Sequence, residues 1–217
     1  MTPENFVRAN TQQLAPPLTP EITLHLAHEI VPIWRATEEE LAAQGIPPPF
    51  WAFAWAGGQA LARYVLDHPE TVARKRVLDF GAGSGLAAIA AAKAGATHVQ
   101  ACDIDPFAAA AMAVNAAANH VDLAITTDGL LGQDLGWDTV LIADMCYEKS
   151  LSARVEAWMR DLAQRGALVL IGDPQRTYFP KTGLALLAQY EVQTTRELED
   201  REIRRTGVYR VLPASAP

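Results

Sequence analysis

The segment 77–95, VLDFGAGSGLAAIAAAKAG, narrows the folds open to this chain more than any other stretch. It begins with a short, mostly apolar run of strand length. Glycines follow at positions 81, 83 and 85, and alanine, leucine and isoleucine then continue without a proline, as a helix requires. A strand that turns into a helix through glycines lets the backbone approach a ligand closely, and the helix N-terminus supplies unpaired N–H groups. The dinucleotide fingerprint is G-x-G-x-x-G. Here the spacing is G-x-G-x-G, and Leu86 stands where the third glycine of that fingerprint belongs. A plain tight turn would show the same glycines, so the flanking sequence has to decide.

The flanking sequence repeats the unit. RVLDFGAG reads as a strand and residues 84–94 as a helix. HVQACDID is a second strand, followed by a helix over 106–119 with Pro106 in its first turn. DLAITT reads as a short third strand and DTVLIADM as a strongly apolar fourth. The helix over 150–165 carries Leu151, Val155, Trp158, Met159 and Leu162 on one face. ALVLIGD is a fifth strand, and KTGLALLAQY is expected to be a fifth helix. EVQTTREL and TGVYRVL then read as two strands joined by EDREIR, with no helix between them. The whole predicts an α/β protein with a doubly wound, mostly parallel sheet, right-handed crossovers and one antiparallel strand near the C-terminus. No internal repeat is visible.

Residues 1–50 break this pattern and are expected to form an N-terminal extension packing on the core domain of 51–217. Their prolines, at 16, 17, 20, 32 and 47–49, exclude long helices. EITLHLAH alternates and predicts a short strand. ATEEELAAQG reads as a short helix stopped by Gly45, and PFWAFAWAGGQALARYVLDHP as a loop entering a helix over 57–67.

A chain of 217 residues, half of them hydrophobic, can bury one α/β core. Its net charge of -7 argues against nonspecific binding to nucleic acid or to an acidic membrane. A small molecule or a protein is the expected substrate. The first 20 residues lack an apolar signal core and no run of about 18 apolar residues occurs, so a cytoplasmic, non-membrane protein is expected. The two cysteines, Cys102 and Cys146, suit a reducing compartment. His25 and His28 stand close in sequence but lack further His or Cys ligands, so no metal site is expected.

The strand ends carry acidic residues. Asp79 precedes the glycine turn, where a carboxylate would repel a pyrophosphate and suits a ligand with a cationic amino-acid end. Asp103 closes the second strand, where a carboxylate can accept both hydroxyls of a ribose. Asp105, before Pro106, fits the helix cap better than Asp103 does. Asp128, after the third strand, could accept from an adenine amino group or simply make the turn before Gly129. An amino-acid end, a ribose and an adenine together describe S-adenosylmethionine. A nicotinamide-dependent oxidoreductase fits less well, given Leu86 and Asp79. A cofactor-fold binding module without catalysis is a third class.

In order and spacing, FWAFAWAGGQALARY, VLDFGAGSG, ACDIDPFA and ADMCYE resemble the seven-β-strand protein lysine methyltransferases, and among them those that act on the electron transfer flavoprotein β-subunit. The resemblance spans roughly the whole chain from Phe6 to Leu212. It implies a class I, Rossmann-like methyltransferase and a protein substrate, with a ribosomal protein as the alternative to the flavoprotein. It places Asp79, Gly81, Ala82 and Gly83 in the cofactor loop and Asp103 with Ile104 at the ribose and base. It sets Trp55 and Gly58 beside the cofactor. Ala56 departs from the family pattern, which has proline there. Asp144 and Tyr147 match an Asp-x-x-Tyr motif bordering both cofactor and target lysine, and Arg176 and Tyr178 are candidates for contact with the substrate protein.

Methyltransferases that act on planar nitrogens tend to carry Asn-Pro-Pro-Tyr at the end of the fourth strand. Here the sequence is Asp144-Met145-Cys146-Tyr147. A carboxylate suits an ammonium, and a tyrosine ring offers its face to the same cation. The amine has to lose a proton first, and for a lysine of pKa about 10.4 that costs roughly 4 kcal/mol near neutral pH. Burial and alignment supply the rest, with well-oriented reactions gaining about 7–11 kcal/mol. Asp144 is therefore expected to orient the amine and Tyr147 to line its channel, with no dedicated base. Glu148 is the remaining carboxylate nearby, and a solvated charge is its simpler role.

Overall fold

The computed structural model describes residues 2–27, 48–194 and 202–213. Seven strands form one sheet: β3 (Arg76–Phe80), β4 (His98–Cys102), β5 (Ala124–Thr126), β6 (Thr139–Ala143), β7 (Leu168–Asp173), β8 (Leu184–Gln193) and β9 (Ile203–Val211), in the order β5-β4-β3-β6-β7-β9-β8. The pairs among β3 to β7 are parallel, and β9 runs antiparallel to both β7 and β8. The chain winds outward from β3 in one direction and from β6 in the other. The carboxyl ends of β3 and β6 therefore frame the crevice where such sheets bind ligands.

Period-two alternation divides the strand side chains between two cores. Val77, Val99, Leu141, Leu170 and Val208 pack under α2 (Ala56–Asp67) and α3 (Leu86–Lys93), together with Met112 of α4 (Pro106–Ala118). Leu78, Phe80, Val140, Ile142, Val169 and Ile171 face the other way, onto Val155, Trp158, Met159 and Leu162 of α5 (Lys149–Arg165). Both faces are covered, which is why these strands read as nearly continuous apolar runs. Trp158 meets Phe80 edge-on at 4.8 Å and Trp137 at 6.4 Å. The two indole N–H groups donate to the Gln133 carbonyl and to Gln100 Oε1.

The expected fifth helix does not form. Residues 184–190, within KTGLALLAQY, are strand and open β8. Leucine and alanine favour helix, but β9 offers a full row of backbone groups on its outer side, and this pairing overrides the local preference. Gly183, at φ +68, turns the chain into the strand. A bulge between Leu186 and Ala188 then resets the alternation, so that Val192 is buried.

At the N-terminus, α1 (Pro3–Asn10) sets Val7 among Ala108, Ala110 and Ala111 of α4. The strands β1 (Gln12–Leu14) and β2 (Leu24–Leu26) form a hairpin. Two buried amides of α4 clamp β2 and its approach. Asn115 Oδ1 accepts from the His25 N–H while its Nδ2 donates to the Ser84 carbonyl, and Asn119 bonds both backbone groups of Thr23. The His25 ring lies between Thr11 and Gln13. The helix expected in ATEEELAAQG, and His28, lie outside the described residues.

Candidate active site

The turn after β3 carries Gly81, Gly83 and Gly85 at φ +69, +52 and +80, a region that side chains disfavour. Asp79 is buried, and its Oδ2 accepts the Ala88 N–H of α3 at 2.8 Å. Burial, reinforced by Asp103, pushes this carboxyl up to about 7. Asp103 Oδ2 accepts the Gly83 N–H at 3.0 Å and its Oδ1 accepts the Asp105 N–H at 3.1 Å. The carboxylate thus ties the glycine turn to the end of β4, and each of these bonds uses one of its lone pairs. Asp105 caps α4 through the Phe107 N–H, as expected. Ile104, between the two acids, is 78% exposed. Asp128 is an exposed turn residue bonded to the Thr126 hydroxyl.

On the other side of the crevice, Asp144 follows β6 with φ +58 and donates its N–H to the Gly172 carbonyl. Its Oδ2 accepts the Gly58 N–H at 2.9 Å, in the first turn of α2. Its Oδ1 accepts from Arg176 Nη2 at 2.7 Å and from Nε at 3.1 Å. The guanidinium also lies 5.6 Å from the centre of the Trp55 ring. Arg176, expected at the substrate surface, is therefore brought onto Asp144. The loop that carries it is fixed in turn: Asp173 Oδ1 accepts the Arg176 N–H at 2.7 Å, and Tyr178 donates its N–H to the Cys146 carbonyl. Asp173 is fully buried, and its Oδ2 has no hydrogen-bond partner among the described residues. Burial and the neighbouring Asp144 push it up to about 7.

Tyr147 is 52% exposed, its ring 6.1 Å from Phe50, which stands the same distance from Trp55. These three rings make an aromatic rim beside the Asp144–Arg176 pair, with Tyr178 exposed on the adjoining loop. Glu148 caps α5 by accepting the Ser150 N–H, so it has a structural task at the surface. Burial pushes the Cys146 thiol up to about 12, which leaves it inert as a nucleophile.

An open cleft runs from Asp79, Gly81, Ala82 and Gly83 past Gly58 and Trp55 to Asp144. Asp103 touches it through Gly83; Ile104 and Asp128 lie outside its lining. Sequence reasoning missed Phe50 and the turn-fixing role of Asp173. Both stood inside stretches that the sequence marks, FWAFAW and DPQR, but neither has a spacing that announces its contacts.

The ribosomal protein L11 methyltransferase (PrmA) family matches residues 59–162. Over 215 residues the chain is 38% identical to the electron transfer flavoprotein beta subunit lysine methyltransferase of Danio rerio, covering 95% of this chain and 82% of that one. Its counterpart in Xenopus laevis is 38% identical over 218 residues, covering 97% and 87%. Magnesium protoporphyrin IX methyltransferase from Synechocystis PCC 6803, solved with bound SAM, aligns with a TM-score of 0.52 and 18% identity over 71% of this chain and 77% of that one. This likeness is one of fold: the doubly wound sheet with its antiparallel strand is the class I methyltransferase fold.

Proposed function

The chain belongs to the electron transfer flavoprotein beta subunit lysine methyltransferase family, and we propose that it methylates lysine side chains of that flavoprotein subunit, acting as a cytoplasmic monomer with its N-terminal 50 residues as an extension on the catalytic domain. It is an S-adenosylmethionine-dependent protein-lysine methyltransferase.

The donor set of the cleft fits this cofactor. Asp103 spends one bond per oxygen on backbone and keeps acceptor capacity for two ribose hydroxyls. Ile104 offers an exposed apolar face for the base, with Asp128 as an acceptor on that side. Asp79 is a buried carboxyl facing the cleft, suited to an ammonium, and a cation bound there would favour its ionised form. Gly81, Ala82 and Gly83 keep the floor bare, and Gly58 and Trp55 close the opposite wall. When bound, the cofactor supplies a methyl group already activated by its sulfonium.

The chain then has to present a neutral amine in line with that methyl. The aromatic rim of Phe50, Trp55 and Tyr147 excludes water from one side of the approaching side chain. Asp144, held by Gly58 and Arg176, fixes the edge where the cofactor and acceptor regions meet. Tyr178 is exposed for contact with the substrate protein. No residue is assigned as a dedicated base.

The observation that carries the choice of substrate is the length of the likeness. The ribosomal protein L11 methyltransferases of Dechloromonas aromatica and Thiobacillus denitrificans match 54% and 78% of this chain and only 40% and 55% of their own lengths. The flavoprotein methyltransferases match nearly the whole chain, acceptor side included. The test offers labelled S-adenosylmethionine, enzyme, the flavoprotein subunit and ribosomal protein L11 in parallel. Label in the flavoprotein is expected. Label in L11 alone would transfer the activity to the ribosome.

A further inference from the structure

A bare carboxylate at the acceptor position would work against the reaction. It would stabilise the approaching lysine as an ammonium, which has no lone pair to attack with. Asp144 is not bare. Arg176 meets its Oδ1 through two nitrogens, and the two side chains are only 11% and 16% exposed, so water screens the pair little. Taking the lysine methylation proposed above as given, we infer that Arg176 is a positioning residue that keeps the target lysine neutral: its guanidinium, bound to Asp144 and lying over Trp55, cancels the pull of the carboxylate on the amine proton.

The arrangement is built in from both sides. Asp144 and Gln175 both hold φ near +60, a strained setting for non-glycine residues, and each lies in the loop that brings one partner to the other. The Arg176 N–H is bound by Asp173 and the Tyr178 N–H by Cys146, so the two loops are joined through backbone as well as side chains. Among the described residues the other titratable groups facing this place are few. Asp173 lies beneath it, Cys146 and Tyr147 are pushed up by burial and stay neutral near pH 7, and Glu148 and Glu156 belong to the capped helix α5. Asp103 lies across the cleft and acts on Tyr147. Among the described residues, Arg176 is the fixed positive charge that meets Asp144 at this spot.

The step balances simply. Lysine first gives one proton to solvent. Its nitrogen lone pair then forms the new N–C bond as the methyl–sulfur bond breaks, and that bond's electron pair goes to sulfur. The positive charge passes from sulfur to nitrogen in the second event, so the arrangement that serves both events is the charge-balanced Arg176–Asp144 pair, which neither holds the proton on the amine as a bare carboxylate would nor opposes the new charge as a lone cation would.

The test follows methyl transfer against pH, between about 6 and about 10 where lysine titrates, at saturating cofactor. The acceptor is the flavoprotein subunit, or whichever lysine-bearing protein the wild type labels. Arg176→Gln should move the rising limb of kcat to higher pH by about one unit or more, recover activity at the alkaline end, and lower KM at neutral pH because the ammonium is now held. Arg176→Met, which keeps a side chain of similar length without the charge, should do the same, and Arg176→Lys should restore most of the wild-type profile. Asp173→Asn, which keeps an acceptor for the Arg176 N–H and removes a carboxyl, should not move the limb to higher pH. Superimposable profiles for wild type and Arg176→Gln, or an equal loss at every pH that Arg176→Lys does not rescue, would overturn the inference while the methyltransferase activity stands. A wild type that labels no lysine-bearing protein would overturn both.

Discussion

Asp103 and Asp144 close neighbouring regions of one cleft, and each is engaged by its own set of N–H donors. On the ribose role proposed for Asp103, Asp103→Ala would remove two hydrogen bonds, each worth about 1.5–3 kcal/mol when the acceptor is charged. Cofactor affinity should fall by about 100-fold to about 10,000-fold by calorimetry, and an unchanged Kd would remove Asp103 from the cofactor site. The buried acids also set a pH dependence. Asp79 and Asp173 are pushed from an ordinary 3.8 up to about 7, so the folded chain holds their protons more tightly than the unfolded chain does. Their contribution to stability is full in acid and declines as pH rises from about 4 to about 7. Asp173→Asn should flatten that decline in urea midpoints taken at several pH values, and parallel curves for variant and wild type would refute it. At this scale the sequence was legible where a neighbour gave the context. Pro106 marks Asp105 as the cap and so frees Asp103. The Asp144–Arg176 bond was not legible, because its partners sit 32 positions apart on loops that only the sheet brings together.

The helix α2 reaches the acceptor side because two glycines let backbones pass. A Cβ at Gly57 would overlap the Gly172 carbonyl and the Asp144 carboxylate, and a Cβ at Gly172 would overlap Gly57. Gly57→Ala should therefore destabilise the fold by about 1–3 kcal/mol, read as a lower urea midpoint. It should also reduce turnover, by shifting the Gly58 N–H away from Asp144. Stability equal to wild type would show that the helix has room to move. The strand–helix units from β3 to β7 were readable because each has its own period, turn glycine or capping residue. β8 was not, since LALLAQY is locally a good helix and only β9, on the far side of the 195–201 stretch, makes it a strand. Ala56, where the resemblance leads one to expect proline, occupies the first position of α2, which tolerates either residue.

Taken as one molecule, the chain divides its work between sheet halves. The part that the ribosomal methyltransferase family model matches, 59–162, carries Asp79, the glycine turn and Asp103. Phe50 and Trp55 precede that part, and the loop after β7 with Arg176 and Tyr178 follows it; these flanking parts carry the aromatic rim and the Arg176–Asp144 pair proposed to face the acceptor. Substrate choice is expected to follow the flanks. The net charge of -7 adds a general preference for basic surfaces but selects no particular protein. The decisive measurement is intact-mass and peptide-mapping mass spectrometry of the purified flavoprotein β-subunit after incubation with the enzyme and S-adenosylmethionine, beside the Asp103→Ala variant and ribosomal protein L11. The expected result is a gain of whole methyl masses on lysines of the β-subunit, slowed by the variant and absent from L11. A β-subunit of unchanged mass beside a methylated L11 would contradict it.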